Sequence, residues 1–437
     1  MRILPRALLW LAPLPLLAQQ PRLPSGTWMI AVSSGADTSA YRFTLRFERD
    51  SVTGANTDGR PLRGIIRDDS VVFNVIRPDS ATVLFRGVAR NGAVRGVRTF
   101  TPRGAAAPTV SEEFLATFDI PPRAPRLHVF SPEVFSRAFS GAVSPVLHII
   151  PGDTVRTWTL DNAGRDSTGA ARSPGGNPLT GPFYIDGALP GDMIVVHLTR
   201  VRLNRDYGRS GDGIVGNALD PDYYRELKDV PDFNSRWKLD RQRGVAMLEK
   251  PTSPLASFTV PVRPMLGCVG VAPPGGQSFR AQESGVFGGN MDYNEIREGV
   301  TLYFPVFQRG ALLFLGDGHA VQGDGELTGD AVETSMNVEF SVEVVQSTST
   351  FRPRIYSPRA ENDEFLMAIG ISGDLSDALR QSTTDLARWL ETTYHLNAPE
   401  VASVLGSSVR YDVADVVGSE VSIVAKIQKN VLRQIRP

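Results

Sequence analysis

One cysteine in 437 residues excludes an intrachain disulfide. Stability must therefore come from buried surface, which a chain of this length can supply. Cys268 lies in the apolar run 265–272 (MLGCVGVA) and reads as a small core residue rather than a nucleophile. An excess of one charge is also lacking, since 46 basic residues face 47 acidic ones. Without a basic field, neither nucleic acid nor an anionic membrane surface is expected as a partner. Histidine is scarce too, with five in the chain. What is abundant is glycine (41) and proline (32), which favours a β-rich, loop-rich fold over a helical bundle.

The N-terminus has the pattern of an export signal. Arg2 and Arg6 precede an apolar stretch at 7–17 (ALLWLAPLPLL), and Ala18 offers a small residue for cleavage. The stretch is too short to span a bilayer and carries Pro13 and Pro15, so stable membrane insertion is not expected. Residues 1–18 are thus read as a signal peptide and the protein as periplasmic or extracellular.

The pattern predicts a mainly β (β-rich α+β) fold in two parts. A small antiparallel barrel or sandwich is expected over 23–103, with strands at 27–32, 41–49, 70–76, 81–88 and 93–101. Residues 41–47 (YRFTLRF) alternate large apolar with polar side chains, the period of a half-buried strand. Asn91-Gly92 tolerates the positive φ of a type I′ hairpin, and Asp68-Asp69 marks another turn. Gly26-Thr27-Trp28 resembles the start of lipocalin-like barrels. With neither His nor Cys, this part reads as an accessory. Residues 104–125 (GAAAP, then PP) read as a linker, with a helical turn at 111–117.

Residues 126–437 read as a larger, sandwich-like β domain closed by helices. Its strands are expected at 146–150, 154–160, 193–201, 258–262, 301–305, 311–315 and 332–345. Two Pro-Gly-Asp turns, ending at Asp153 and Asp192, each precede a strand. A helix over 374–394 places Leu375, Leu379, Leu386 and Leu390 on one face, and Asn397 can cap a second helix.

The run 316–326 (GDGHAVQGDGE) concentrates the chain's chemistry. It follows the apolar stretch 310–315 (GALLFL) and sets acids and an imidazole on thin, glycine-rich backbone. Such a group can bind a cation or move protons. Gly323-Asp324-Gly325 can equally be a tight turn. His148 and His197 alternate with strand residues and read as structural, and His395 follows a helix.

Several ordered blocks together resemble the acetamidase/formamidase family: 177–192 (NPLTGPFYIDGALPGD), 267–274 (GCVGVAPP), 288–292 (GGNMD), the 316–326 run, and 369–379 (IGISGDLSDAL). The resemblance implies hydrolysis of a small linear amide such as formamide or acetamide to a carboxylate and ammonia. It also implies a homo-oligomer. In the early segment the family's pattern of a His with a nearby Asp is not kept; His128 has only Glu133 after it. No G-x-S-x-G elbow is present, so water activated by a metal or a carboxylate is the expected nucleophile. Asp292, Asp317 and His319 are the candidate metal ligands, zinc being expected before calcium or manganese. Glu326, His319 and Asp292 are the candidate catalytic residues, with Glu326 as general base. Asn290, Gln322 and Asp161 are the candidate substrate-binding residues. The rival readings are a non-catalytic exported protein binding a small polar ligand, and a hydrolase of lactams or larger amides.

Overall fold

The computed structural model describes residues 23–34, 37–77, 81–102, 108–120, 123–227, 235–348 and 353–436. The export segment read at 1–18 lies outside the described residues. Chain contacts divide the molecule after Asp119 into two units.

The first unit is a closed eight-stranded antiparallel barrel in which each strand pairs with the next and Gly26–Ser34 pairs with both the second and the eighth. Alternation places Trp28, Phe43, Phe73, Phe85 and Phe114 inside, all buried. Phe73 stacks on Phe85 at 4.7 Å, and Phe43 and Phe114 meet Phe85 edge-on. The interior is thus filled by side chains. Asn91 and Gly92 both have positive φ (52° and 76°), as a type I′ turn requires.

Two expectations change here. The hairpin of Ser51–Asn56 and Pro61–Arg67 was not expected, because its Gly, Thr, Asn and Pro content reads as loop. The stretch expected as linker and helical turn contains the eighth strand, Val110–Phe118. That strand closes the barrel between Ala93–Thr101 and Gly26–Ser34. Its EEFLATF sequence buries Phe114 and Ala116 on alternate positions, so period two prevails over the composition around it.

The second unit holds two large sheets of nine and eleven strands around one shared core. Leu179–Ile185, Met265–Gly270 and Leu313–His319 are almost wholly buried. They read in sequence as continuous apolar or glycine-rich runs rather than alternating ones. The two Pro-Gly-Asp turns are built alike. Gly152 and Gly191 take φ of 87° and 90°, and Asp153 and Asp192 each accept the backbone N–H three residues earlier (Ile150 at 3.0 Å, Leu189 at 2.9 Å). His128 also binds Asp153, at 2.8 Å.

The first long helix is Leu375–Tyr394, capped by the Asp374 carboxylate. Its buried face is Ala378, Ser382, Asp385, Leu386 and Leu390; Leu375 and Leu379 are exposed, contrary to the expected leucine face. Asp385 turns inward because it meets buried Arg359 in a bidentate pair at 2.5 and 2.9 Å. Asn397 and Glu400 form a full capping box on the next helix, Ala398–Ser408. Among the described residues no helix is long and apolar enough to cross a membrane.

Candidate active site

Three neighbouring strands of the eleven-stranded sheet build the site. In the register, Met265 lies opposite His319, and His319 lies opposite Glu333 on the short strand Glu333–Thr334. Directly paired residues point to the same face, so His319 and Glu333 stand side by side. Asp317, two residues before His319, shares its face. Gly267 stands where a side chain would collide with the group: a Cβ there would overlap Asp292 Oδ1 and lie 2.9 Å from Asp317 Oδ2 and 3.1 Å from His319 Cε1. Asp292 arrives from the loop after Gly288–Asn290, its N–H and that of Met291 both directed at the Gly267 carbonyl.

His319 is fully buried, with four acids around its Nε2: Glu333 Oε1 at 3.1 Å, Asp317 Oδ1 at 3.6 Å, and Asp292 Oδ1 and Glu326 Oε1 each at 3.9 Å. Asp415 forms a further close group with Asp292 and Glu326, their ligand atoms within 4.8 Å of one another. Glu326 is held by the Ala331 N–H at 2.9 Å. The backbone is bent to make this possible. Asn177, Asp292, Asp317 and Glu326 are four of the ten non-glycine residues with positive φ among the described residues. Such conformations cost roughly 1 kcal/mol or more each and collect where function requires them.

The electrostatics follow from crowding acids out of water. Burial pushes the Asp292 carboxyl up to about 7, with the His319 charge opposing and Asp317 assisting. Burial likewise raises Glu326, Glu333 and Asp415, the last to about 8. For His319 burial alone would lower the pKa, but Glu333 and Asp317 beside it hold it well above the ordinary imidazole range. Among the described residues, four buried atoms in this group have no hydrogen-bond partner: Asp292 Oδ1, Asp317 Oδ1, His319 Nε2 and Glu333 Oε2. Leaving one such atom unsatisfied costs about 1–3 kcal/mol.

These residues fit a divalent cation. Ligand atoms of Asp292, Asp317 and His319 lie within 4.8 Å of one another, as do those of His319, Glu326 and Glu333. Ligand bonds of about 2 Å bring neighbouring ligand atoms to about 3–3.5 Å, so the group needs a small contraction. Gln322 prepares the imidazole for this. Its amide nitrogen donates to the Asp292 carbonyl and, at 3.4 Å, to that of Ala414. Its Oε1 therefore faces His319 Nδ1, at 2.8 Å, which must carry the proton. Nε2, where the surrounding acids favour a second proton, would exchange that proton for the cation, with Nδ1–H fixed as in a metal-ligating histidine.

The structure thus brings Asp292, Asp317, His319 and Glu326 together. It places three expected residues differently. Gln322, expected to bind substrate, has both ends of its amide committed to positioning His319 and Asp292. Asn290 lines the cleft, but its Oδ1 accepts from Asn177 (2.8 Å) and Cys268 Sγ (2.9 Å), and its Nδ2 donates to Asp292 Oδ2. It orients an acid rather than reaching outward. Asp161 is held by buried Arg205 (2.7 Å) and the Arg165 N–H (2.7 Å) and does not line the cleft. Asp324 is exposed, accepting from Asn294 at 2.7 Å, so the second Gly-Asp-Gly is a turn. Cys268 is buried, with its thiol pushed well up first by burial and then by Asp317. Glu333, Asp415 and Asn177 were missed. Asn177 donates to Asp317 Oδ2 at 2.6 Å. His148, His197 and His395 stay outside, the first two bound to Asp186 and to Thr301 and Glu343.

A cleft of about 230 Å³ opens on the group, reaching Asp292, Asp317, Glu326 and Glu333. This is room for a small molecule only.

Comparison with known proteins bears on this cleft. Residues 274–395 match the Acetamidase/Formamidase family. An acetamidase of Mycolicibacterium smegmatis is 25% identical over 255 residues, 45% of this chain and 62% of that protein, so the chain spans less than two thirds of that relative. The crystal structure of an acetamidase from Yersinia enterocolitica is similar with a TM-score of 0.61 at 28% identity, covering 71% of this chain and 94% of that one. That of a recombinant predicted acetamidase/formamidase from the thermophile Thermoanaerobacter tengcongensis gives 0.60 at 25% identity, covering 71% and 98%.

Proposed function

We propose, on the premise that this chain belongs to the acetamidase/formamidase family, that it hydrolyses the C–N bond of small linear amides, releasing a carboxylate and ammonia. The observation that carries this reading is the buried group of His319 with Asp292, Asp317, Glu326 and Glu333 at the floor of a cleft sized for a small molecule. Asp292, Asp317 and His319 would hold a divalent cation, zinc being our first choice ahead of calcium or manganese. Such an ion, when bound, supplies Lewis acidity toward water and the amide carbonyl.

The chain's own residues supply the rest. Glu326, which faces the cleft and whose affinity for a proton is raised by burial and then by Asp292, takes the proton of the attacking water. It then returns the proton to the departing nitrogen, so that the C–O bond forms, the C–N bond breaks and ammonia leaves neutral. Gln322 keeps the imidazole in one tautomer. Asn177 and Asn290 hold Asp317 and Asp292 in place. Export through the 1–18 segment and a homo-oligomeric state are parts of the same proposal.

The test is ammonia release by the purified full chain from formamide and acetamide. Release from at least one is expected. No release from either, by protein shown by elemental analysis to carry a full complement of metal, contradicts the hydrolase reading and favours a protein that only binds a polar ligand.

A further inference from the structure

The walls of the cleft above the acid group have a composition that the proposed reaction does not require. Among the side chains lining it, Val417 is the only hydrophobic one. The remaining wall residues include Asn162, Asn177, Gln282, Arg280 and Ser419. Their hydrogen-bonding capacity is only partly used. Asn162 Nδ2 donates to Asp330 Oδ1 at 2.9 Å, and Asn177 Nδ2 is occupied by Asp317 and Asn290. Among the described residues, the Oδ1 atoms of both asparagines and the whole Gln282 amide have no hydrogen-bond partner. Arg280 is already answered by Glu283 at 3.0 Å, so it offers no free charge for an anionic substrate.

From this the geometry points to a polar acyl subsite. The preferred substrate is a short, uncharged primary amide whose acyl group carries a hydrogen-bonding substituent, a hydroxyl or a second carboxamide. An alkyl chain of the same size would displace water from Asn162, Asn177 and Gln282 and leave their polar atoms unpaired. A site built to hydrogen-bond a substituent rejects the analogue lacking it far more strongly than an apolar pocket rejects an extra hydroxyl. A carboxylate substituent is disfavoured by Glu283, Asp330 and the acids below.

The inference rests on the hydrolase reading, and glycolamide and propionamide separate the two. They differ by a hydroxyl in place of a methyl. Their kcat/KM ratio in the full chain, divided by the ratio of their alkaline hydrolysis rates, is expected to favour glycolamide by at least about 10-fold. Gln282→Leu alters an exposed side chain that makes no hydrogen bond within the protein, and is expected to bring the ratio toward one. Propionamide turned over as well as glycolamide overturns the inference while the hydrolase reading stands. A ratio that stays high in both Gln282→Leu and Asn162→Ala also overturns it, since the selectivity then lies elsewhere. No turnover of these two amides, of formamide or of acetamide, by protein carrying a full complement of metal, overturns both together.

Discussion

Gly267→Ala is expected to lower kcat/KM for formamide by at least about 100-fold, the usual cost of displacing a reacting group by about 1 Å. The strand Met265–Gly270 passes directly beneath the acid group, and its one side-chain-free position there is the floor on which Asp292, Asp317 and His319 rest. An added methyl overlaps Asp292 Oδ1, and the carboxylate must move. It cannot move freely, because Asn290 holds its other oxygen and its backbone is fixed at a φ of 41°. Overpacking of this kind also costs about 1–3 kcal/mol of stability, readable in a urea melt. Gly373→Ala is the control: nothing lies within 4 Å of a Cβ there, and both activity and stability should be retained. Wild-type activity in Gly267→Ala would mean that the acid group is not where the chemistry occurs.

Glu333→Gln is expected to reduce kcat by about 100-fold while leaving the metal-free protein as stable as the wild type or more so. Glu333 is the acid nearest His319 Nε2, at 3.1 Å, and its second oxygen has no partner. Burial and the neighbouring Asp317 both oppose its ionisation, with His319 acting the other way. Glutamine keeps the shape and removes a carboxyl whose ionisation burial disfavours. Steady-state ammonia release and a thermal melt, each on EDTA-treated and metal-restored protein, separate the two effects. A loss of stability in parallel with a loss of activity would make Glu333 a structural support instead.

Glu333 also shows where sequence reading stops. The acids of GGNMD and GDGHAVQGDGE stand out because glycine surrounds them and because local spacing puts Asp317 and His319 on one face of a strand. Glu333 lies in 332–345, where it reads as one more polar position of a strand. It becomes part of the site only through antiparallel pairing with His319. Asp415 is brought in by a single parallel bridge to Gly325, almost a hundred residues earlier. Neither pairing leaves a local signal. The opposite error has the same cause. Asp161 and Gln322 looked free because their partners, Arg205 and the Asp292 carbonyl, are distant in sequence. The barrel was legible where period two is strong, and was lost at Val110–Phe118, where flanking Ala and Pro suggested a linker.

The most direct test of the account is ammonia release from formamide by the full chain and by His319→Ala, with folding of both checked by circular dichroism. His319 is the imidazole at the centre of the group, fully buried and with its Nδ1 fixed by Gln322. The account predicts turnover by the wild type and a loss of at least about 100-fold in a folded His319→Ala protein. Equal turnover by the two proteins would contradict it.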